Sequence, residues 1–272
     1  MPLVRDFTLA KYRELVCCLR DHGYAPETLA GYLRQPEQGK DRLVILRHDV
    51  DISPAAALRM ARAEHELGIR ASYYFRHPST FHPPTIQAVS ALGHEVGYHY
   101  EVLTTTRGDF EGAIRLFGEK LAAFREVFPV ETVAAHGGSR SDQDTRDIWN
   151  RCRFGDFGLR GEAYLSIPGF LYFSDTGRTW SPRGKVRDSI PGGKPVPEHI
   201  RSTDDLITWI GSTEEPQLAL NAHPARWPDT TGGEILSIGQ DMVYNLVKRG
   251  IRGVKALGTA PAGTGSVKKQ GG

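Results

Sequence analysis

The segment His48-Asp49-Val50-Asp51 constrains this chain most, because it ends the apolar run at 43–46 with acids and an imidazole. A short hydrophobic run that stops at charged residues predicts a buried parallel strand leading into a functional loop. Residues two apart in a strand point the same way, so Asp49 and Asp51 would present their carboxylates on one side. Two convergent carboxylates repel each other unless a cation or a shared proton lies between them. The segment therefore predicts a metal or acid–base site.

Strand-like and helix-like segments alternate along most of the chain. Predicted strands lie at 43–47, 69–75, 95–98, 131–135 and 217–222, and predicted helices at 8–20, 26–33, 55–67, 84–92, 110–128, 203–210 and 233–248. This order predicts an α/β fold with parallel strands joined by right-handed crossovers.

Charged and imidazole side chains recur where the predicted strands end. Besides the segment at 48–51, these ends carry Arg76, His99, Glu101, His136 and His223. Parallel α/β folds gather their active sites at the carboxyl ends of the strands. The repeated placement favours one shared site over separate surface residues.

Composition excludes several classes of function. The chain has 272 residues, a net charge of +2 and 24% charged residues, which is ordinary for a soluble α/β protein. It has no basic stripe with interleaved aromatics, so nucleic acid is not an expected partner. No apolar stretch approaches the ~20 residues of a membrane span, and the N-terminus lacks the apolar core of a secretory signal. Cys17, Cys18 and Cys152 have no metal-binding spacing. We therefore expect a cytoplasmic protein.

Three segments resemble the polysaccharide deacetylases, the NodB-homology family of carbohydrate esterases. They are 46–51, 93–99 and 220–224, and the resemblance spans about 43–227. The patterns at 97–101, 175–180 and 223–227 are similar to a branch that acts in surface-polysaccharide or O-antigen biosynthesis. The resemblance implies a distorted seven-stranded (β/α) barrel and a metal-dependent removal of N-acetyl groups from amino sugars.

The resemblance also implies roles for individual residues. Asp49 would be the catalytic base, Asp51 and His99 metal ligands, and His223 the catalytic acid. One divalent metal is implied, with Zn²⁺ as the first expectation and Mn²⁺ or Mg²⁺ as alternatives. The metal would polarise the acyl carbonyl and lower the pKa of a bound water.

The chain departs from the family pattern at two points. Leu103 stands where the family has its second metal-binding His, so the third ligand is Glu101, His136 or absent, and we select Glu101. The family's Arg that orients the base has no counterpart in the motifs, and three arginines are candidate substitutes: Arg76, Arg140 and Arg178.

We also predict a substrate-binding set. Arg76 and His136 would face the substrate at strand ends, and Arg178 would hold a phosphate or carboxylate. Trp180, with Tyr172 and Phe173 near it, would stack on sugar faces.

Other interpretations stay open. Asp49 and Asp51 could order the loop before Ser53, the 175–178 segment could be only a tight turn, and each His could be a buried structural residue. At the level of function, the chain could be an inactive deacetylase scaffold that binds carbohydrate, or a hydrolase of small cyclic amides.

The expected organisation has three parts. Residues 1–42 form a helical lead-in packed on the barrel, and 43–257 form the barrel domain with an irregular insertion at about 150–200. Residues 258–272 are rich in Gly, Ala, Ser, Thr and Lys, which predicts a disordered tail.

Overall fold

A parallel sheet wrapped by helices forms the fold in the computed structural model, which describes residues 6–35, 41–137, 143–185, 187–230 and 239. The strands are β1 (Ala25–Glu27), β2 (Leu43–Val50), β3 (Ser72–Phe75), β4 (Glu95–Tyr100), β5 (Thr132–Ala135), β6 (Gly161–Glu162), β7 (Leu171–Ser174) and β8 (Gln217–Ala222). The helices are α1 (Leu9–Asp21), α2 (Leu29–Arg34), α3 (Pro54–Glu66), α4 (Pro83–Ala91), α5 (Val102–Thr105), α6 (Phe110–Arg125) and α7 (Thr203–Ile210). Short 3₁₀ helices span Thr145–Asn150, Phe154–Phe157 and Pro224–Arg226.

Seven strands follow one another across the sheet in the order β6-β5-β4-β3-β2-β8-β7, and every pair is parallel. The short β1 pairs with the first half of β2 beside β3. The sheet forms a curled half-barrel with helices on its outside, so the predicted distorted seven-stranded (β/α) barrel is confirmed. All eight residues of β2 are buried, as expected for an interior strand of a parallel sheet.

Local sequence explains where the helices begin. Ser53 caps α3 by accepting the backbone N–H of Ala56, and Pro54 occupies the first helical turn. Asp109 caps α6 by accepting the N–H of Gly112. Because α3 starts immediately after the acidic segment, the chain must turn sharply at Asp51, which leaves this carboxylate at the strand end.

Some predicted elements were placed wrongly. Residues 25–27 form a strand instead of the first turn of a helix, and 69–71 precede β3 instead of beginning it. Within 150–200, which was predicted to be an irregular insertion, the strands β6 and β7 extend the main sheet at its two ends. The predicted helix 233–248 and the predicted tail 258–272 lie outside the described residues, apart from Gly239. No helix in the described part of the chain combines the length and apolarity that crossing a membrane requires.

The two ends of the sheet are tied by a side chain. Tyr164 follows β6 and Tyr172 lies on β7, and both hydroxyls donate to Oδ1 of Asp188, at 3.0 and 2.6 Å. Ser174 donates to the other oxygen of this carboxylate at 2.6 Å. Asp188 thus spans the gap that the strands leave open.

A buried polar cluster lies on the outer face of β2. Its centre is Glu64 of α3, which is fully buried and accepts hydrogen bonds from Tyr12 and, at 2.6 Å, from Tyr73. Nε2 of His48 lies 2.8 Å from Oε1 of the same carboxylate. Burial alone would raise the pKa of Glu64, but His48 and the hydroxyl donors hold it below the ordinary value. The cluster fixes α1 and α3 against the strand.

We predict that Glu64→Gln lowers the free energy of unfolding by about 2 to 4 kcal/mol at neutral pH, because a buried charge-assisted network loses its anion. A carboxyl group whose pKa is lower in the folded than in the unfolded state stabilises the fold at pH values above its unfolded-state pKa, which is about 4.3 for Glu. This stabilisation is lost progressively as the pH falls below that value. The parent should therefore lose stability in that acidic range more steeply than the variant. Urea unfolding between pH 3 and 7 measures this, with the exposed Glu119→Gln as control. If the free energy of unfolding changed with pH in the same way in the parent and in Glu64→Gln, the lowered pKa of Glu64 would be wrong.

Candidate functional site

Three of the strand-end side chains converge. Asp51 follows β2, His99 lies near the end of β4, and His136 follows β5. One ligand atom from each lies within 4.8 Å of the others. Oδ1 of Asp51 is 3.4 Å from Nε2 of His99 and 3.7 Å from Nε2 of His136. The pairing of β4 with β5 brings the two imidazoles together, since His99 sits beside Ala134 in the register.

The outer nitrogen of each imidazole lies near an oxygen atom. Nδ1 of His99 lies 2.9 Å from the carbonyl oxygen of Ala134, to which it donates. Nδ1 of His136 lies 3.2 Å from Oε2 of Glu101, which is also paired with Arg76. A proton on each Nδ1 would leave the Nε2 lone pair free for a metal ion, as is usual for metal-binding histidines.

The chemistry of this group fits a divalent metal ion. Oδ1 of Asp51 is buried and has no hydrogen-bond partner among the described residues. Burial would raise the pKa of Asp51, but the nearby His136, His99 and His223 hold it well below its ordinary value. Two imidazoles and one carboxylate make a three-ligand set of the kind that holds Zn²⁺ with an open position. We call Asp51, His99 and His136 the ligand triad.

The triad differs from the predicted ligand set in one member. Asp51 and His99 lie where the prediction places them. Glu101, the predicted third ligand, instead lies behind His136 and between it and Arg76. His136, predicted to bind substrate, takes the third position. Leu103 is fully buried in the core.

The predicted base, Asp49, is held by a buried arginine. Nε and Nη2 of Arg47 donate to its two oxygens at 2.8 and 2.9 Å, and Nδ2 of Asn221 donates at 2.9 Å. Nε2 of His99 lies 3.7 Å from Oδ2 of Asp49. Burial would raise the pKa of Asp49, but the charges of Arg47, His99 and His223 lower it to about 2. Asp49 is therefore an anion oriented beside the triad.

Arg47 is the orienting arginine that sequence reasoning missed. It lies two residues before Asp49 on the same face of β2, and its guanidinium stacks 4.1 Å from the ring centre of Tyr164. Of the three arginines proposed for this task, Arg76 pairs with Glu101 and Arg178 donates to the Arg226 carbonyl at 3.3 Å. Arg140 lies outside the described residues. The sequence signal that could have identified Arg47 is its position two residues before Asp49 in the same predicted strand.

The predicted acid, His223, is held by a second buried carboxylate. Oδ1 of Asp175 lies 2.5 Å from Nδ1 of His223, and Oδ2 accepts the His223 backbone N–H at 2.9 Å. Arg226 and Trp227 also donate to Asp175, at 2.9 and 2.7 Å. Nε2 of His223 is left facing the triad, 3.8 Å from Oδ2 of Asp51.

The charges around His223 favour its protonated form. Burial and the nearby Arg226 charge act to lower the pKa of His223, but Asp175 and Asp51 outweigh them and raise it above its ordinary value. Burial would raise the pKa of Asp175, and the charges of His223 and Arg226 with the His223 hydrogen bonds lower it far below the ordinary range. Asp175 therefore stays ionised, favours the protonated form of His223 and holds its Nε2 toward the triad.

The 175–178 segment is a tight turn, as one interpretation expected, and it also presents Asp175. The N–H of Arg178 donates to the Asp175 carbonyl at 2.9 Å, and Gly177 and Arg178 have φ of 77° and 54°. Nζ of Lys185 donates to the carbonyls of Ser174 and Thr179, the latter at 2.7 Å. This ammonium group ties the two ends of the turn together.

The predicted sugar-stacking role does not fit the aromatic side chains. Trp180 is 1% exposed, packs against Phe7 and Trp227, and donates its indole N–H to Thr203. Tyr172 and Phe173 are 6% and 0% exposed. Trp180 therefore supports the wall behind His223 through packing, and it offers no open ring face to a sugar.

Comparisons with known proteins give a limited answer. No protein-family model matches the chain, and no curated protein matches it. A CE4 esterase from Streptococcus mutans is 13% identical, over 80% of this chain and 86% of that chain, with a TM-score of 0.46. A family 4 carbohydrate esterase from Streptomyces lividans, in complex with acetate, is 15% identical over 74% and 88%, with a TM-score of 0.40. BA3943, a CE4 family pseudoenzyme from Bacillus anthracis, is 13% identical over 75% and 62%, with a TM-score of 0.42. Values this low carry no argument about activity, so function must be inferred from the site itself.

We predict that the protein binds about one zinc ion and that Asp51→Ala, His99→Ala and His136→Ala each abolish binding, because a three-ligand site loses a donor. Glu101→Gln should retain the metal with an affinity about 10- to 100-fold lower, since it acts through His136. Elemental analysis after dialysis against zinc measures this, with the exposed His199→Ala as control. If His136→Ala kept its full zinc content and Glu101→Gln lost its zinc, Glu101 would be the third ligand.

Proposed function

We propose that this protein is a metal-dependent amidohydrolase that removes an acyl group from the nitrogen of an amino sugar. The observation that carries the proposal is that two groups of opposite function contact the ligand triad. The ionised Asp49 lies beside His99, and His223, whose pKa is raised, lies beside Asp51. Amide hydrolysis requires such a proton acceptor and proton donor around one carbonyl.

A divalent ion held by Asp51, His99 and His136 would supply Lewis-acid polarisation of the amide carbonyl and acidify an attacking water. Asp49 accepts the proton of that water as the new C–O bond forms. Arg47 and Asn221 hold both carboxylate oxygens of Asp49, which orients the base and keeps it ionised.

His223 completes the reaction on the leaving-group side. Its Nε2 proton passes to the amide nitrogen as the C–N bond breaks, and an amine and a carboxylic acid leave. Asp175 stabilises the imidazolium before transfer and accepts the Nδ1 hydrogen bond throughout. Without this proton the amine is a poorer leaving group than the attacking oxygen, so the acid is as necessary as the base.

The assignment to an amino sugar is supported by the motifs around these residues, which resemble polysaccharide deacetylases and most of all the surface-polysaccharide branch. We propose a nucleotide- or lipid-linked sugar precursor as substrate, acted on in the cytoplasm. The inactive-scaffold alternative was based on Leu103 and on the missing arginine. Against it, His136 offers an imidazole beside Asp51 and His99, and Arg47 holds Asp49. Hydrolysis of small cyclic amides uses the same groups and is separated from sugar deacylation by the substrate panel below.

We expect the zinc-loaded protein to release acetate from at least one N-acetylated amino sugar, free or phosphate-linked. Asp49→Asn should slow release by about 100- to 10,000-fold, because it removes the proton acceptor, and should keep the zinc, because the ligand triad is unchanged. Thermal unfolding verifies that the variant folds despite the loss of the charge that pairs with Arg47. Enzymatic acetate assay over a panel of N-acetylhexosamines measures this, with His199→Gln as a matched surface control. Turnover of cyclic imides alone would replace the sugar with that substrate class. No turnover of any amide by zinc-loaded protein would refute the hydrolase.

The acid role of His223 makes a prediction for pH. His223 acts in its protonated form, so kcat/KM should fall as pH rises through its pKa. Asp175→Asn removes the negative charge that raises this pKa, so activity should be lost at a lower pH than in the parent. The pH profile of kcat/KM measures the shift, with the exposed Asp205→Asn as control. An alkaline limb at the same pH in Asp175→Asn and the parent would remove His223 from the acid role.

A further inference from the structure

The ring of Tyr164 lies against the arginine that holds Asp49. The guanidinium carbon of Arg47 is 4.1 Å from the centre of this ring, and both side chains are buried. We propose that Tyr164 is a positioning residue that fixes the Arg47 guanidinium and, through it, the Asp49 carboxylate. This rests on the proposed function in one respect, because it treats Asp49 as the base.

Hydrogen bonds restrain only part of the Arg47 guanidinium. Its Nε and Nη2 donate to Asp49 at 2.8 and 2.9 Å, whereas Nη1 is buried and has no hydrogen-bond partner among the described residues. A guanidinium held along one edge can still swing about that edge, and contact with a ring face opposes this motion. The aromatic face also attracts the cation. The ring of Tyr74 is farther away, at 5.8 Å, so Tyr164 makes the closer aromatic contact.

Tyr164 reaches Arg47 from another part of the half-barrel. It follows β6, and the strands β5, β4 and β3 separate β6 from β2 in the sheet order. The contact therefore crosses the inside of the curled sheet and does not belong to a ladder of backbone hydrogen bonds. A substitution at position 164 can change the restraint on Arg47 without breaking the strand pairs that carry the ligand triad.

Tyr164 is itself held at both ends. Its backbone N–H donates to the buried Glu162 carboxylate at 2.8 Å, and its hydroxyl donates to Asp188 at 3.0 Å. Burial raises the pKa of this hydroxyl well above its ordinary value, although the Arg47 charge acts against the rise, so the hydroxyl keeps the proton that it donates. Asp188 also lines a cavity between β7 and residues 188–196. The ring therefore has a fixed place from which it can restrain Arg47.

A second guanidinium contacts the same ring. That of Arg146 lies 5.0 Å from the ring centre, and this side chain is 12% exposed. Its Nε donates to Asp144 at 3.0 Å, and its Nη1 donates to the carbonyl of Ser189 at 2.9 Å. The ring of Tyr164 thus lies against two cations, each of which is paired with its own carboxylate. Arg146 is a further restraint on the ring that contacts Arg47.

The test compares Tyr164→Leu, which removes the ring, with Tyr164→Phe, which removes only the hydroxyl. Tyr24→Leu is the matched control, because Tyr24 is also buried and has the Arg42 guanidinium 4.5 Å from its ring centre. NMR measures how fast the Arg47 Nε–H, which donates to Asp49, exchanges with water. Kinetics of acetate release by the zinc-loaded proteins give kcat and KM, and thermal unfolding verifies folding.

We expect the Arg47 Nε–H to exchange at least about tenfold faster in Tyr164→Leu, because exchange of a buried group follows local opening. This variant should keep its zinc and lose about 10- to 100-fold in kcat with KM changed less than about threefold, since a displaced base affects the transition state. Tyr164→Phe and Tyr24→Leu should exchange like the parent and keep kcat within about threefold.

A second pair of variants serves if Tyr164→Leu does not fold. Arg146→Met leaves the ring in place but removes one of its two cations, so it should speed the Arg47 Nε–H exchange and lower kcat. Arg146→Lys keeps the positive charge and should restore part of both.

The outcomes separate this proposal from the hydrolase. Unchanged Nε–H exchange in Tyr164→Leu, or the same acceleration in Tyr24→Leu, would overturn the positioning role. A loss of kcat in Tyr164→Phe as large as in Tyr164→Leu would overturn it too, as would an effect on KM or zinc content alone. If the parent released no acetate but Tyr164→Leu still accelerated the exchange, the restraint on Arg47 would stand and the base role of Asp49 would be refuted.

Discussion

The buried ion pair of Arg47 and Asp49 is the constraint on which the rest of the site depends. Both side chains are about 4% exposed, and transfer of either charge from water would be prohibitive without the other. Arg47 and Asp49, which are joined by two hydrogen bonds, place two fixed charges on one face of β2. Asn221 from β8, Tyr164 after β6 and His99 from β4 all contact this pair, so neighbouring strands must adopt the register that brings them there.

The alternation of β2 places a second buried charge network on its opposite face. Arg47 and Asp49 face the site, whereas His48 faces Glu64 and the helices α1 and α3. A one-residue slip of the strand would exchange these faces and leave several buried charges unpaired. One eight-residue strand therefore couples the packing of the outer helices to the geometry of the catalytic groups.

Sequence reasoning predicted the features that follow from hydrophobic periodicity and from the residues at the ends of strands. The strand positions, the α/β class and the convergence of Asp51, His99 and His223 on one edge all follow from patterns local to each segment. It selected Glu101 as a ligand because Glu101 is near His99 in the chain, whereas His136 reaches the triad through the pairing of β4 with β5. Asp175 was missed as the partner of His223 because 48 residues separate them. The burial of Trp180 depends on Phe7 and Trp227, which no local pattern connects.

The open edge of the half-barrel is held together differently from the strands that position the candidate site. The ligand triad and Asp49 belong to strands joined by continuous backbone hydrogen bonds, but the gap between β6 and β7 is spanned by the side chains of Tyr164, Tyr172 and Asp188. Side-chain contacts can be exchanged by single substitutions, while a backbone ladder cannot. Proteins built on this plan can therefore change the shape of the cavity beside β7 during evolution without moving Asp49 or the ligand triad.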